Sequence, residues 1–364
     1  MVEAALLQLE GIVGFTPINF VYWLIAAFAG GAFGAAIGAL PAFCFTGFAV
    51  IAGEAVNFAS ISGAATASGA DAVGIAGPMT GTIGFGAVFG PHIAFAGGAA
   101  AAAYAAKQDG AMYEPGDGDY HLGKDIAYAL GTRPDVLAVG GIFGIFGAIS
   151  RRLLINLVPV GFDQIAFTVF ISALLHRVVF GYSLLGNPRG DGYFDMTPFE
   201  NGEKRAAADG GTGEAKRLAV EPWLPHQYKW GNVAMIGLIA GLLGGFIVVT
   251  TNSMFLGFGI SAASLTFLNL GVEKIPVTHH MTLPGSAGAA AFVSDPTGTS
   301  QLVAIVMGAV FGILGALVGE AGQRVFYAHG DTHVDPPAFA IFVCTLIIGV
   351  LSLAGVADPL FAAF

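Results

Sequence analysis

Long apolar runs alternate with short polar joints along almost the whole chain. A helix that crosses a bilayer needs about 20 predominantly apolar residues. On that rule the runs predict spans at about 19–41, 43–60, 82–106, 136–157 and 164–185, and again at about 232–251, 254–271, 275–293, 301–325 and 337–358. Two polar segments stand apart from them, 107–135 and 186–230. The second holds the low-complexity piece Arg205-Ala-Ala-Ala-Asp-Gly-Gly-Thr-Gly-Glu214, which reads as a flexible linker. The expectation is an all-α polytopic integral membrane protein with no folded soluble domain. It divides into a first five-helix unit over 1–185, a cytoplasmic polar linker over 186–231 and a second five-helix unit over 232–364.

Composition agrees with this division. Of the 364 residues, 55% are hydrophobic and 10% are charged. A soluble domain carries about 25% charge, so this chain cannot cover a water-facing surface. Its 55 glycines follow no strict triplet, which excludes collagen, and the apolar content excludes disorder. Cys44 and Cys344 both lie in apolar runs, leaving no disulfide framework and no cysteine-rich metal site. The net charge of −10 argues against nucleic-acid binding, which needs a basic face, and also suits the solvated surface of a salt-adapted organism. The first residues carry no basic stretch ahead of their apolar run, so they do not read as a cleaved signal peptide.

Basic residues set the orientation. Ten spans with the N-terminus outside place Lys107, Lys124, Arg133, Arg189, Lys204, Arg205, Lys216, Arg217, Lys229, Lys274 and Arg324 in the cytoplasm, against Arg151 and Arg152 outside. Such a lopsided distribution predicts a multi-pass protein of the cell membrane. The third span of each half is rich in Gly and Pro and could instead be re-entrant.

The two halves resemble each other. His92-Ile-Ala-Phe-Ala-Gly97-Gly98 aligns with His280-Met-Thr-Leu-Pro-Gly285-Ser286, and Gly141-Ile-Phe-Gly-Ile-Phe-Gly147 with Ala309-Val-Phe-Gly-Ile-Leu-Gly315. Asp163-Gln-Ile-Ala-Phe167 aligns with Asp335-Pro-Pro-Ala-Phe339, and Phe45-Thr-Gly-Phe48 more loosely with Phe255-Leu-Gly-Phe258. An odd number of spans per half turns the second half over, giving an inverted repeat with its site near the midplane, where corresponding broken helices meet. The interrupted pair is the third and eighth spans. Gly90-Pro91-His92 stands in one; Pro276, Thr278, His279, His280, Thr282 and Pro284 stand in the other. Proline removes a backbone donor and clashes with the preceding turn, so a continuous helix there is costly.

Candidate chemistry gathers at the same place. His92 and His280 occupy equivalent positions with His279 alongside, and imidazole can donate, accept, titrate or bind a metal. The equivalent positions would bring the two rings toward one another from opposite leaflets, or each ring could simply bond a freed carbonyl. Thr278, Thr282 and Ser286 fall one helical turn apart and could line a pore or bond back to the helix. Gly97 and Gly285, at equivalent places in the aligned segments, are expected on the same pathway. Glu54 is a carboxylate within an apolar span and a candidate for ion or proton coupling. Glu320 reads as an i,i+4 partner of Arg324, His176-Arg177 as a snorkelling pair rather than one facing a cavity, and Thr250-Thr251-Asn252-Ser253 as a plain turn rather than one mouth of a pathway. The run His329, Asp331, His333, Asp335 alternates imidazole and carboxylate, a pattern that could hold a divalent metal but also suits a solvated turn. Neither a nucleotide loop nor a hydrolase nucleophile motif is present, and no cofactor is expected.

Two five-span halves of this length resemble the urea transporters in architecture, and Leu40-Pro41-Ala-Phe-Cys-Phe-Thr46 is faintly similar to their motifs. That resemblance implies a homo-oligomer, commonly a trimer, that passes small neutral solutes, and it assigns no functional residue. The leading expectation is therefore a channel or carrier for a small solute or ion rather than an enzyme, its partners being the lipid bilayer and the solute. The alternatives are a membrane-embedded metal-dependent enzyme built on the histidines and a subunit or scaffold of a larger membrane complex.

Overall fold

The computed structural model describes residues 16–61, 78–113, 119–205, 217–293 and 298–360. The low-complexity stretch after Arg205, together with Lys216, lies outside them. The described chain is helical without strands; one isolated bridge pairs Lys204 with Leu218.

The helices of the first half are α1 (Pro17–Ile37), α2 (Ala39–Ile61), α3 (Ala96–Ala105), α4 (Pro134–Leu157) and α5 (Gln164–Val179). Those of the second are α6 (Trp230–Thr251), α7 (Leu256–Asn269), α8 (His279–Phe292), α9 (Gly298–Gly322) and α10 (Pro336–Leu353). Helix ends follow local chemistry. Proline opens α1, α4 and α10, where its missing N–H costs nothing. Gly38, at φ 95°, separates α1 from α2 in a single residue, a backbone state that a side chain would resist. Among the described residues six helices are long and apolar enough to cross a membrane: α1, α2, α4, α6, α10 and α9 with its π-helical continuation to Tyr327.

The remaining expected spans are shorter. α5 and α7 have 16 and 14 residues. The third segment is broken into π-helical turns at Pro78–Gly84 and Pro91–Phe95 before ten residues of α3. Ten residues rise about 15 Å, half of a hydrocarbon core of about 30 Å. The eighth segment enters as irregular chain and becomes helical only at His279. Its break precedes Thr278, and α8 continues through Pro284 instead of stopping there. Pro284 offers no N–H to the His280 carbonyl four residues back, and that carbonyl lies against Gly315 of α9.

Matching helices make matching contacts. α1 packs on α3 and α4 as α6 packs on α8 and α9. Gly31 meets Gly140 and Gly144 as Gly241 meets Gly308 and Gly312, so the backbones touch with no side chain between them. The Gly34–Ala94 carbonyl contact recurs as Gly244–Thr282, and Gly147–His92 as Gly315–His280. Between these two bundles α2 pairs with α7 and α5 with α10.

Segments 119–133, 181–205, 217–229 and 328–334 interlock at one end of the molecule. Leu218 donates to the Asp119 carbonyl at 2.9 Å, Glu221 to that of Ala328 at 2.9 Å, and Lys107 to that of Phe180 at 2.6 Å. Arg151 and Arg152 sit near the far end of α4.

Candidate functional site: a cavity between the halves

A cavity of about 520 Å³ lies where α2 and α7 meet α5 and α10. Its walls are mainly apolar and aromatic, from Leu40, Phe43, Phe85, Phe95, Phe255 and Phe258 to Ala166, Leu265, Ala338 and Ile341. The rings pack on one another: Phe43 lies 5.8 Å from both Phe95 and Phe258, and Phe85 lies 5.1 Å from Phe255 and 5.6 Å from Phe258. This size is ordinary for a small-molecule site and much larger than a bare ion needs.

Polar groups are few and placed. The buried Glu54 of α2 accepts a hydrogen bond from Thr80 Oγ1 at 2.9 Å and another from Ser253 Oγ at 2.7 Å. Asn57, Asn252 and Arg151 are further polar residues of the lining. Asn252 closes α6 in the left-handed conformation at φ 55°, and Ser253 Oγ also accepts from Leu256 N at 2.9 Å, satisfying the first N–H of α7. Thr250–Ser253 is thus more than the plain turn expected: two of its four residues form cavity wall.

Asp163 and Asp335 line the cavity from the first turns of α5 and α10. They are twins. Asp163 accepts from Ala166 N at 2.9 Å and Asp335 from Ala338 N at 2.8 Å, each as the N-cap of its helix. Asp335 also receives His333 Nε2 at 3.1 Å.

Of the residues expected to form a pathway, Glu54 and His279 are on the cavity. His279 stacks at 4.8 Å from Phe43 and 5.8 Å from His280. His280 stands behind it against Trp223 at 5.7 Å, and no ring contact among the described residues joins His92 to either. His92 is buried against Gly90. Thr282 bonds back to the Thr278 carbonyl at 3.3 Å, Thr278 Oγ1 pairs with Ser261 Oγ at 2.5 Å, and Ser286 is buried against Gly244 and Gly257. Gly97 and Gly285 serve helix contact, against Gly140 and Gly241 respectively. These residues shape the wall from behind.

The His329–Asp335 run does not converge. His329 bonds Tyr193 O at 3.2 Å, Asp331 pairs with Arg205 at 3.2 Å and Arg217 at 2.8 Å, and His333 turns to Asp335. Among the described residues no group of three His, Cys, Asp or Glu is placed to hold a metal ion. Glu320 pairs with Arg324 at 2.6 Å as its spacing suggests. His176 and Arg177 do not snorkel. Both are fully buried, and Arg177 binds Thr332 through Oγ1 at 2.9 Å and its carbonyl at 2.8 Å, tying α5 to the segment before α10.

A buried ion cluster, which no motif announced, lies behind the cavity at the interlocked end. Lys124 Nζ reaches Glu221 Oε2 at 2.6 Å, Arg217 grips Glu221 Oε1, and Arg217 continues to Asp331. Burial pushes the Lys124 ammonium down to about 7. Burial also raises the Glu221 and Asp331 carboxyls, but the surrounding cations outweigh it: Glu221 is held below the usual carboxylate range, and Asp331 falls to about 2. Trp223 and Leu224, two and three residues after Glu221, and Ile126, two residues after Lys124, line the cavity, so the cluster holds the chain that forms this part of its wall.

The class that fold and site define is, over the described residues, an all-helical protein with several helices long and apolar enough to cross a membrane and a cavity between its halves. The chain belongs to a family of unknown function (DUF7973), whose model matches residues 14–362. No curated protein and no solved structure matches it.

Proposed function

We propose that the chain forms a pathway for a small solute or ion across the cell membrane, with the central cavity as its binding site. The observation that carries this reading is the position of the cavity. It lies between two sets of helices with corresponding contacts, beside the interrupted segments at Pro91 and His279, both of which line it. Irregular backbone at membrane depth is tolerated where it lines a cavity, and folds with inverted repeats carry their sites at such places. The same reading takes the two halves as inverted five-segment repeats, with the short α3 and α8 as half-helices. The interlocked end carries most of the basic loops and is then cytoplasmic, which leaves the N-terminus outside. The homo-oligomer implied by the likeness to urea transporters belongs to this proposal and is checked by light scattering on the purified protein.

The test is flux in proteoliposomes for a panel of small neutral solutes and ions, followed by light scattering and membrane potential. Ala166→Trp and Ala338→Trp fill the cavity from its two related walls. Loss of wild-type flux in both variants supports the pathway. Absence of flux for every panel member, or flux unchanged by both substitutions, overturns it.

A further inference from the structure

The lining of the cavity favours one class of solute. Six aromatic side chains, Phe43, Phe85, Phe95, Trp223, Phe255 and Phe258, contribute to one wall system. Aromatic faces attract cations, and a desolvated site strengthens the attraction. Three carboxylates stand on the same cavity against one guanidinium. Arg151 and Asp163 act on one another electrostatically, each the opposite charge that the other meets on this cavity. Asp335 is engaged by His333 and by its own helix. Glu54 differs: among the described residues its two oxygens accept from the hydroxyls of Thr80 and Ser253, and no lysine or arginine is paired with it. A buried carboxylate of this kind calls for a cation. The volume of about 520 Å³ is too large for a bare ion and suits an organic one.

We propose that the cavity binds a small organic cation of the alkylammonium class, its charged end at Glu54 and its alkyl groups against the aromatic wall. This rests on the pathway reading for its transport consequence but not for binding. Thr80 and Ser253 orient the carboxylate toward the cavity, and Phe258, at the centre of the ring cluster, supplies the π face.

Choline and its uncharged carbon analogue dimethylbutanol are the probes, used on wild type, Glu54→Gln and Phe258→Leu. Binding is followed by intrinsic tryptophan fluorescence in detergent, and flux in proteoliposomes. Wild type should prefer choline by about tenfold or more, as expected for a desolvated cation–π and charge contact. Glu54→Gln and Phe258→Leu should each remove most of that preference, weakening choline by far more than they weaken the analogue. Equal binding of the two probes, no binding of choline, or a preference untouched by both substitutions overturns the proposal. If choline binds selectively and no solute crosses, the pathway falls and the cation site stands. If an uncharged solute crosses and choline does not bind, the pathway stands and the cation site falls.

Discussion

Ser253 donates its hydroxyl proton to Glu54 Oε2 at 2.7 Å across 199 residues of sequence, tying the second helix of one half to the first joint of the other. The same oxygen accepts from Leu256 N at 2.9 Å, so one side chain closes a helix end and holds a buried carboxylate. Ser253→Ala therefore loses both bonds and should lower stability by about 1–2 kcal/mol. Ser253→Thr, which keeps the hydroxyl, should recover most of it. Thermal unfolding of the purified protein in detergent reads both, and an unshifted midpoint for Ser253→Ala would show that the bond contributes nothing.

Gly147 and Gly315 each face the backbone carbonyl of a histidine, His92 in one half and His280 in the other. A methyl group at either position meets a carbonyl oxygen of an adjacent helix, and neither backbone can move without disturbing its bundle. Gly147→Ala and Gly315→Ala should each destabilise by about 1–3 kcal/mol, the usual cost of overpacking. Gly231→Ala, at a helical position with nothing near it, serves as the control and should be neutral or slightly stabilising. Comparable losses at both positions support equivalent roles; a loss at only one would separate the halves.

Much of the architecture was legible because lipid imposes a length rule on apolar runs. The expected spans 136–157 and 232–251 fall within a few residues of α4 and α6. The interruptions at Pro91 and before His279 were legible too, since proline acts locally. The site itself was less so. Repeat spacing drew attention to His92 and His280, yet both stand behind the wall, because position along a helix does not reveal which side faces a cavity. Asp163 and Asp335 appeared only as repeat markers, and nothing local distinguishes a capping aspartate at a cavity from one at a solvated turn. Arg177 looked like a snorkelling residue because its main partner, Thr332, through hydroxyl and carbonyl, comes from a segment 155 residues away. The Glu221 cluster was hidden for the same reason: its charges come from four loop segments with no common spacing.

Asp331 gives the interlocked end a dependence on acid. Burial raises its carboxyl, but Arg217, His121 and Arg205 outweigh this and hold it at about 2, against an ordinary 3.8. A carboxyl whose folded pKa is depressed contributes stability that is present above the ordinary value and lost as pH falls through the folded one. The unfolding midpoint of the wild type should therefore carry no contribution from Asp331 titration between about pH 7 and 5. It should fall between about pH 4 and 2. Asp331→Asn should unfold at lower temperature at neutral pH and show a shallower acid slope. An unchanged slope in the variant would remove Asp331 from the acid response.

The two members of the Lys124–Glu221 pair should not be equally costly to remove. Glu221 is held on one oxygen by Lys124 at 2.6 Å and on the other by Arg217, so Lys124→Met leaves the carboxylate with a charged partner. Lys124 has no second carboxylate at salt-bridge distance among the described residues, although its ammonium lies 4.4 Å from the Tyr327 ring. Glu221→Leu therefore strands a fully buried ammonium and removes one of the two carboxylates that Arg217 holds, Asp331 remaining at 2.8 Å, and removal of one partner from a buried pair costs about 3–5 kcal/mol. Part of that cost is relieved by deprotonation, because the ammonium already sits near about 7 and loses its proton more readily once the carboxylate is gone. Glu221→Leu should accordingly be the more damaging change at pH 6 and recover some stability by pH 9, whereas Lys124→Met should show little of that recovery. The double variant Lys124→Met/Glu221→Leu should lie above Glu221→Leu alone, since it leaves no unpaired ammonium in the interior. Unfolding midpoints of the three variants at both pH values decide the matter. Equal losses for the two single variants would mean that Arg217 alone does not satisfy Glu221, and would assign the cluster's stability to the Lys124 contact instead.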